Sequence, residues 1–234
     1  MDAMLGPGGG AMPMAWMPMC GQGWIGAAAS FVGMWTLMMA AMMLPSFVPM
    51  LWRYRQSVGR AGALALAWPT VLVAGGYLFV WTLLGAAVYP LGAVIVAATM
   101  IYPALARAAP IATGLVVLAA GALQFTRWKA HHLACCTGPH GCEPDRGGGA
   151  SSAQPLAALR HGLRLGIHCS QCCAGLTAIL LVSGIMDVPA MVAVTAGITL
   201  ERLVPAGRHV ARAIGVLVAG AGMLLIVRGA AGLP

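Results

Sequence analysis

The chain is poor in acid. Across 234 residues it carries only five Asp and Glu, charged residues of both signs make up 8% of it, and aromatic residues make up 6%. Ordinary water-soluble domains are roughly one-quarter charged, so composition alone excludes an ordinary soluble globular protein. The shortage of carboxylates leaves no paired-carboxylate site for general acid and base catalysis, and no Gly-x4-Gly-Lys loop is present to cradle a nucleotide. Hydrolysis and phosphoryl transfer therefore find no machinery here, and thiol redox chemistry is the one enzymatic alternative that the residues leave open. No internal repeat marks an inverted-repeat transporter. The N-terminal stretch lacks the basic lead and continuous apolar core of a signal peptide, so no cleavage is expected.

What the chain has in quantity is apolar and small. Hydrophobic residues are 60% of it, with 32 Gly, 16 Met and 7 Cys. This is the composition of an all-α, polytopic membrane helix bundle, because only helices satisfy their backbone polar groups within a single apolar segment. The small residues let such helices approach closely where lipid supplies no hydrophobic drive for association. Six segments approach the ~20 apolar residues needed to cross a bilayer: 26–51, 66–89, 111–127, 165–186, 188–203 and 211–229. A seventh, 91–106, is short, contains Pro103 and lies between Pro90 and Pro110, which suggests a re-entrant or interfacial piece.

Charge chooses between six and seven spans. Thirteen Lys and Arg would suggest nucleic acid in a soluble chain, but here they fall between apolar stretches, and nucleic acid is not implied. With six spans and both ends outside, Arg53, Arg55, Arg60, Arg127, Lys129, Arg146, Arg160, Arg164, Arg202, Arg208 and Arg212 all gather on the inner side. Only Arg107 and Arg228 remain outside, the bias expected of a multi-pass protein of the bacterial inner membrane. The expected organisation is an extracytoplasmic Met-rich segment, 1–24, followed by one transmembrane helical domain, 25–234, with a Cys- and His-rich inner loop over 128–164. That loop ends in the flexible run from Gly147 to Ser152. The lipid bilayer is the first partner, and a membrane protein partner or a second copy is the next.

Four soft ligands stand within six residues at His168, Cys169, Cys172 and Cys173. On a helix, spacings of three and four bring them toward one face. Thiolate and imidazole favour copper(I), with zinc or another soft ion as the alternative, over magnesium or calcium. Met14, Met17 and Met19, beside Met12 and Cys20, add thioethers that suit copper(I) and do little for zinc. Met38 and Met42 continue a stripe from Met34, and Met39 and Met43 form another beside it. Pro45 and Pro49 should loosen the inner end of that helix. Each Met feature can equally be flexible packing. In the loop, Cys135, Cys136 and Cys142 with His131, His132 and His140 form a second ligand-rich patch without zinc-finger spacing.

Two acids and an amide complete the inventory. Glu201 is either an interfacial ion pair with Arg202, Arg160 or Arg164, or an oxygen ligand to the metal. Asp187 precedes Pro189 and suits an N-cap, and Gln124 could support a metal ligand by hydrogen bonding. If Cys169 and Cys172 stand at a helix start, the Cys-x2-Cys pair could cycle between dithiol and disulfide. The sulfur groups could also serve packing alone, in a structural interaction subunit without metal.

Met34-Trp35 through the Ala-Met-Met-Leu-Pro-Ser block at 41–46, then Gln124 to Lys129, Cys169-Ser170-Gln171-Cys172-Cys173 and Glu201 to Pro205 occur in a familiar order. In this the chain resembles an uncharacterised bacterial family of predicted metal-binding integral membrane proteins. The resemblance runs from about Trp35 to Val210. It implies a helical membrane protein that binds metal through these blocks, usually with a further N-terminal span before a Met-rich outer loop. Two departures stand out: Ala174 where the family tends to have Trp, and Arg202 where it tends to have Lys.

Overall fold

The computed structural model describes residue 16 and residues 23–57, 63–137, 155–185, 187–204 and 207–231. Among these the chain is all-α. Its helices are α1 (Trp24–Ser57), α2 (Ala63–Ile101), α3 (Pro103–Leu123), α4 (Arg127–Thr137), α5 (Pro155–Ser183), α6 (Val188–Leu203) and α7 (Gly207–Ala230). Five of them, α1, α2, α3, α5 and α7, are long and apolar enough to cross a membrane. At 16 residues, α6 rises only about 24 Å, less than the ~30 Å of a bilayer's hydrocarbon. The sixth expected span is thus a helix at 188–203 as anticipated, but a short one, ending in the ionisable pair Glu201 and Arg202.

Segment 91–106 is not a separate re-entrant piece. Residues 91–101 continue α2 through Pro90, and Pro103 opens α3. Neighbouring helices in a bundle tolerate an internal proline, so Pro90 does not end its helix. The break falls at Tyr102, whose backbone is extended (φ −113°, ψ 99°), the conformation favoured immediately before a proline. Likewise Pro45 and Pro49 both lie inside an α1 that continues to Ser57. Region 128–164 is also less loop-like than expected, since α4 occupies its start and α5 reaches back to Pro155. Its helical residues mix apolar side chains with basic ones, so a search for unbroken apolar runs passes over them.

Packing of the helices follows their small residues. Along an antiparallel seam between α3 and α7, Gly114 meets Gly222, Gly121 faces Ala219 and Gly229 faces Ile111. A Cβ on Gly121 would lie 2.6 Å from the backbone N of Ala219. The helix backbones touch there because nothing larger than hydrogen intervenes. On α5, Gly162 packs against the Val73 backbone and Gly166 against Val80 and the Tyr77 carbonyl of α2, so α5 runs parallel to α2. Antiparallel to it, α1 joins α2 through Trp35, whose indole Nε1 donates to the Trp81 carbonyl at 3.1 Å, and through a Thr36–Thr82 hydroxyl contact at 3.2 Å. Gly184, at φ +116°, makes the turn after α5 that L side chains rarely adopt. From there α6 runs back alongside α5, which carries its C-terminal end to the cysteines.

The bundle differs from a soluble protein in what it exposes. Its outer surface is apolar, with Ile25, Leu37 and Leu217 among the most exposed side chains, while Gln124, Lys129, His132, Glu201 and Arg202 are buried. Polar groups inside and aliphatic groups outside are what a lipid solvent requires.

Candidate metal centre

The sulfur-bearing residues of α1 and α5 share one core. Met38, Met39, Met42, Met43, Cys169, Cys172 and Cys173 are all buried in the same cluster with Trp35, Tyr77 and Trp81. Helical spacing brings the methionines to this face of α1, and the Gly162–Gly166 approach of α5 to α2 brings the cysteines in behind Tyr77. The three cysteines are free of disulfides.

Cys169 is the centre of the group. Its Sγ lies 3.0 Å from the Tyr77 hydroxyl and 3.9 Å from Met43 Sδ, and accepts from Arg202 Nη2 at 3.2 Å. The same guanidinium nitrogen donates to Cys173 Sγ at 3.1 Å and to the Cys169 carbonyl at 3.4 Å. Arg202 thus bridges two thiols one helical turn apart.

The four-residue ligand cluster expected on one face divides in two. Cys169 and Cys173 face Met43 and Arg202. His168, one residue earlier and so rotated ~100° around the helix, faces α4, where its Nδ1 is 3.3 Å from His132 Nδ1. Cys172 stands between the two sides, hydrogen-bonded to the Cys173 thiol and close to both His132 and Glu201. Burial, together with the neighbouring imidazoles of His168 and His131, holds His132 below the ordinary imidazole range.

A buried ion pair fastens the two sides together. Lys129 Nζ is 2.7 Å from Glu201 Oε2, with both side chains almost fully enclosed, and donates to the Cys172 carbonyl at 2.6 Å. Lys129 is thus the partner that closes on Glu201, rather than the arginines expected from sequence. Glu201 Oε1 has no hydrogen-bond partner among the described residues. Asp187 occupies the N-cap position of α6, yet its side chain makes no capping bond. Gln124 does not support a metal ligand: it is buried, and neither amide atom has a hydrogen-bond partner among the described residues. Cys135 and Cys136 lie on α4, but their side chains are outside the described residues, as are Met14, Met17 and Met19.

The donor set suits a soft, sulfur-seeking ion better than zinc. Two sulfurs bound to one ion at roughly 2.3 Å each, with a trigonal angle between them, stand about 4 Å apart; Cys169 Sγ and Met43 Sδ are 3.9 Å apart. Cys173 stands one turn beyond Cys169. Among the described residues no three Cys, His, Asp or Glu side chains are grouped to hold an ion, so the closed four-ligand cage of a structural zinc site is not assembled here. Thiol plus thioether is instead the copper(I) combination.

Three groups escaped the sequence reading: Tyr77, Lys129 as the partner of Glu201, and Arg202 as the clamp on the thiols. Lys129 and Arg202 stand inside recognisable sequence blocks, which is the signal that could have found them. Tyr77 gives no such signal.

Fold and site together define an all-α bundle of membrane-length apolar helices around a buried thiol and thioether cluster. Within that class the chain belongs to the PpoB2 family, described as copper chaperone, whose sequence model matches residues 32–225. No curated protein and no solved structure matches it.

Proposed function

We propose that the protein is a copper(I) chaperone of the bacterial inner membrane. It holds the ion on sulfur inside the bundle and passes it to a copper-requiring partner protein. The observation that carries this reading is the group formed by Cys169, Cys173 and Met43 beneath the Arg202 guanidinium. Binding to the two thiolates would leave a copper(I) site with one net negative charge, and Arg202 is already in place to balance it inside a low-dielectric core. Loading releases the two thiol protons, so copper retention should weaken in acid.

The ion's route follows the gradient of ligand softness. Outer thioethers Met14, Met17 and Met19 gather it, Met38, Met39, Met42 and Met43 conduct it along α1, and the thiols hold it. On the other side, Cys172, His168, His132 and the Cys135–Cys136 pair take it toward α4. A series of sites of similar affinity permits transfer by ligand exchange without a trap. Glu201 is a counter-charge for Lys129 rather than a ligand, since a carboxylate is a poor match for copper(I).

The experiment is anaerobic copper(I) loading of the detergent-purified chain, read by elemental analysis and X-ray absorption. The wild type should bind copper in a sulfur-dominated shell. C169S/C173S should lose it, and M43L should weaken it while leaving two sulfurs on the metal. Equal copper in the wild type and in C169S/C173S would overturn the reading. A thiol–disulfide oxidoreductase is less well supported. Its premise is a Cys-x2-Cys pair at a helix start, whereas α5 begins at Pro155 and Cys169 lies in its interior, beyond the reach of the N-terminal dipole.

A further inference from the structure

Away from the sulfur core, a recess of about 200 Å³ opens where the end of α3, the start of α4 and the first turns of α7 meet. Its wall carries Arg127, Lys129, Arg208 and Arg212, and among the described residues no carboxylate lines it. Of the acids among the described residues, Asp187 stands at the far end of α6, and Glu201 is engaged by Lys129. The three arginines are exposed and Lys129 is buried, so positive charge runs from the mouth inward. The N-terminal end of α7 adds the positive pole of a 24-residue helix.

A second observation points to an occupant. Gln124 is 5% exposed and lines this recess, and its Nε2 and Oε1 both lack a hydrogen-bond partner among the described residues. A buried carboxamide is rarely left unsatisfied. Here it faces a space bordered by cations, so the missing partner is an acceptor-rich anion, to which Nε2 can donate. Phe125, half exposed at the rim, offers an apolar contact beside the charged one.

We propose that this recess binds a phosphate group, supplied by the headgroup of an anionic phospholipid or by inorganic phosphate. Forked guanidinium donors match phosphate oxygens, and basic pockets between transmembrane helices are the usual seat of anionic headgroups. The site is independent of the copper reading, although it touches the same scaffold through Lys129. An anion there would draw on the charge that Lys129 directs at Glu201.

The test uses the full chain in mild detergent, with native mass spectrometry for retained phosphatidylglycerol against phosphatidylcholine, and thermal unfolding with and without inorganic phosphate. R208Q/R212Q removes two exposed arginines from the recess. R160Q/R164Q removes two exposed arginines from α5, outside it. Q124L keeps all charge and removes the buried amide. Selective retention of phosphatidylglycerol by the wild type, lowered roughly tenfold or more in R208Q/R212Q and lowered in Q124L but unchanged in R160Q/R164Q, supports a headgroup site. A rise in melting temperature with inorganic phosphate alone, lost in R208Q/R212Q and Q124L, supports free phosphate as the ligand. Equal losses in the two arginine pairs, an unaltered Q124L, or no selective retention and no phosphate response in the wild type would overturn the site.

Discussion

At the scale of single residues, the interior of this protein is organised by charge held in place by partners. Lys129 and Glu201 are buried as a pair, and removing one member leaves the other charged in a medium that cannot solvate it. K129M alone should therefore destabilise the fold by about 3–5 kcal/mol, whereas K129M/E201M should recover much of that loss. Denaturant or thermal unfolding of the two variants in one detergent measures the difference, and equal destabilisation would show that the pair is not acting as a unit. Arg202 plays the same part for the thiols. R202M should lower copper(I) occupancy while leaving Cys169, Cys173 and Met43 intact, as checked by metal analysis alongside thiol titration. The cysteines were legible in the sequence because soft ligands at helical spacing carry a chemical signature. Tyr77 was not, because its contact with Cys169 spans 92 positions and a tyrosine in an apolar helix reads as packing.

At the scale of elements, glycine decides which helices touch. On α7, Gly222 faces the α3 backbone, where an added Cβ would come within 2.5 Å of Leu118 N, whereas Gly220 has open space around it. G222A should cost about 1–3 kcal/mol through overpacking against backbone that cannot move aside. G220A should be neutral or slightly stabilising through helix propensity. Melting temperatures of the two variants separate these outcomes, and similar values would mean that the seam is loose. The long helices were legible from their apolar runs. Their ends were not, because Arg160, His161 and Arg164 interrupt the first turns of α5 and α2 continues through Pro90, two places where local composition argues for a break and neighbouring helices supply a reason to continue.

At the scale of the whole molecule, an apolar outer surface around a core that also buries Lys129, Glu201 and Arg202 makes the bundle's environment part of its stability. Leu217 is 74% exposed on α7, with lipid as its natural neighbour. L217R should oppose insertion by about 2.5–3.5 kcal/mol if the side chain sits near the bilayer centre, and a membrane-integration assay of the α7 segment reads the change. Composition and hydrophobic run length by themselves determined that the chain is a bundle of helices, five of them long and apolar enough to cross a membrane, the form in which an apolar segment satisfies its own backbone hydrogen bonds. Ligand chemistry by itself determined that sulfur would meet a soft ion. Only the tertiary structure decided which sulfurs meet. Cys169 and Cys173 turn toward Met43 and Arg202, while His168 turns toward His132, because a single residue's step around a helix is a rotation of about 100° and the neighbour waiting at each angle is set by how distant helices pack.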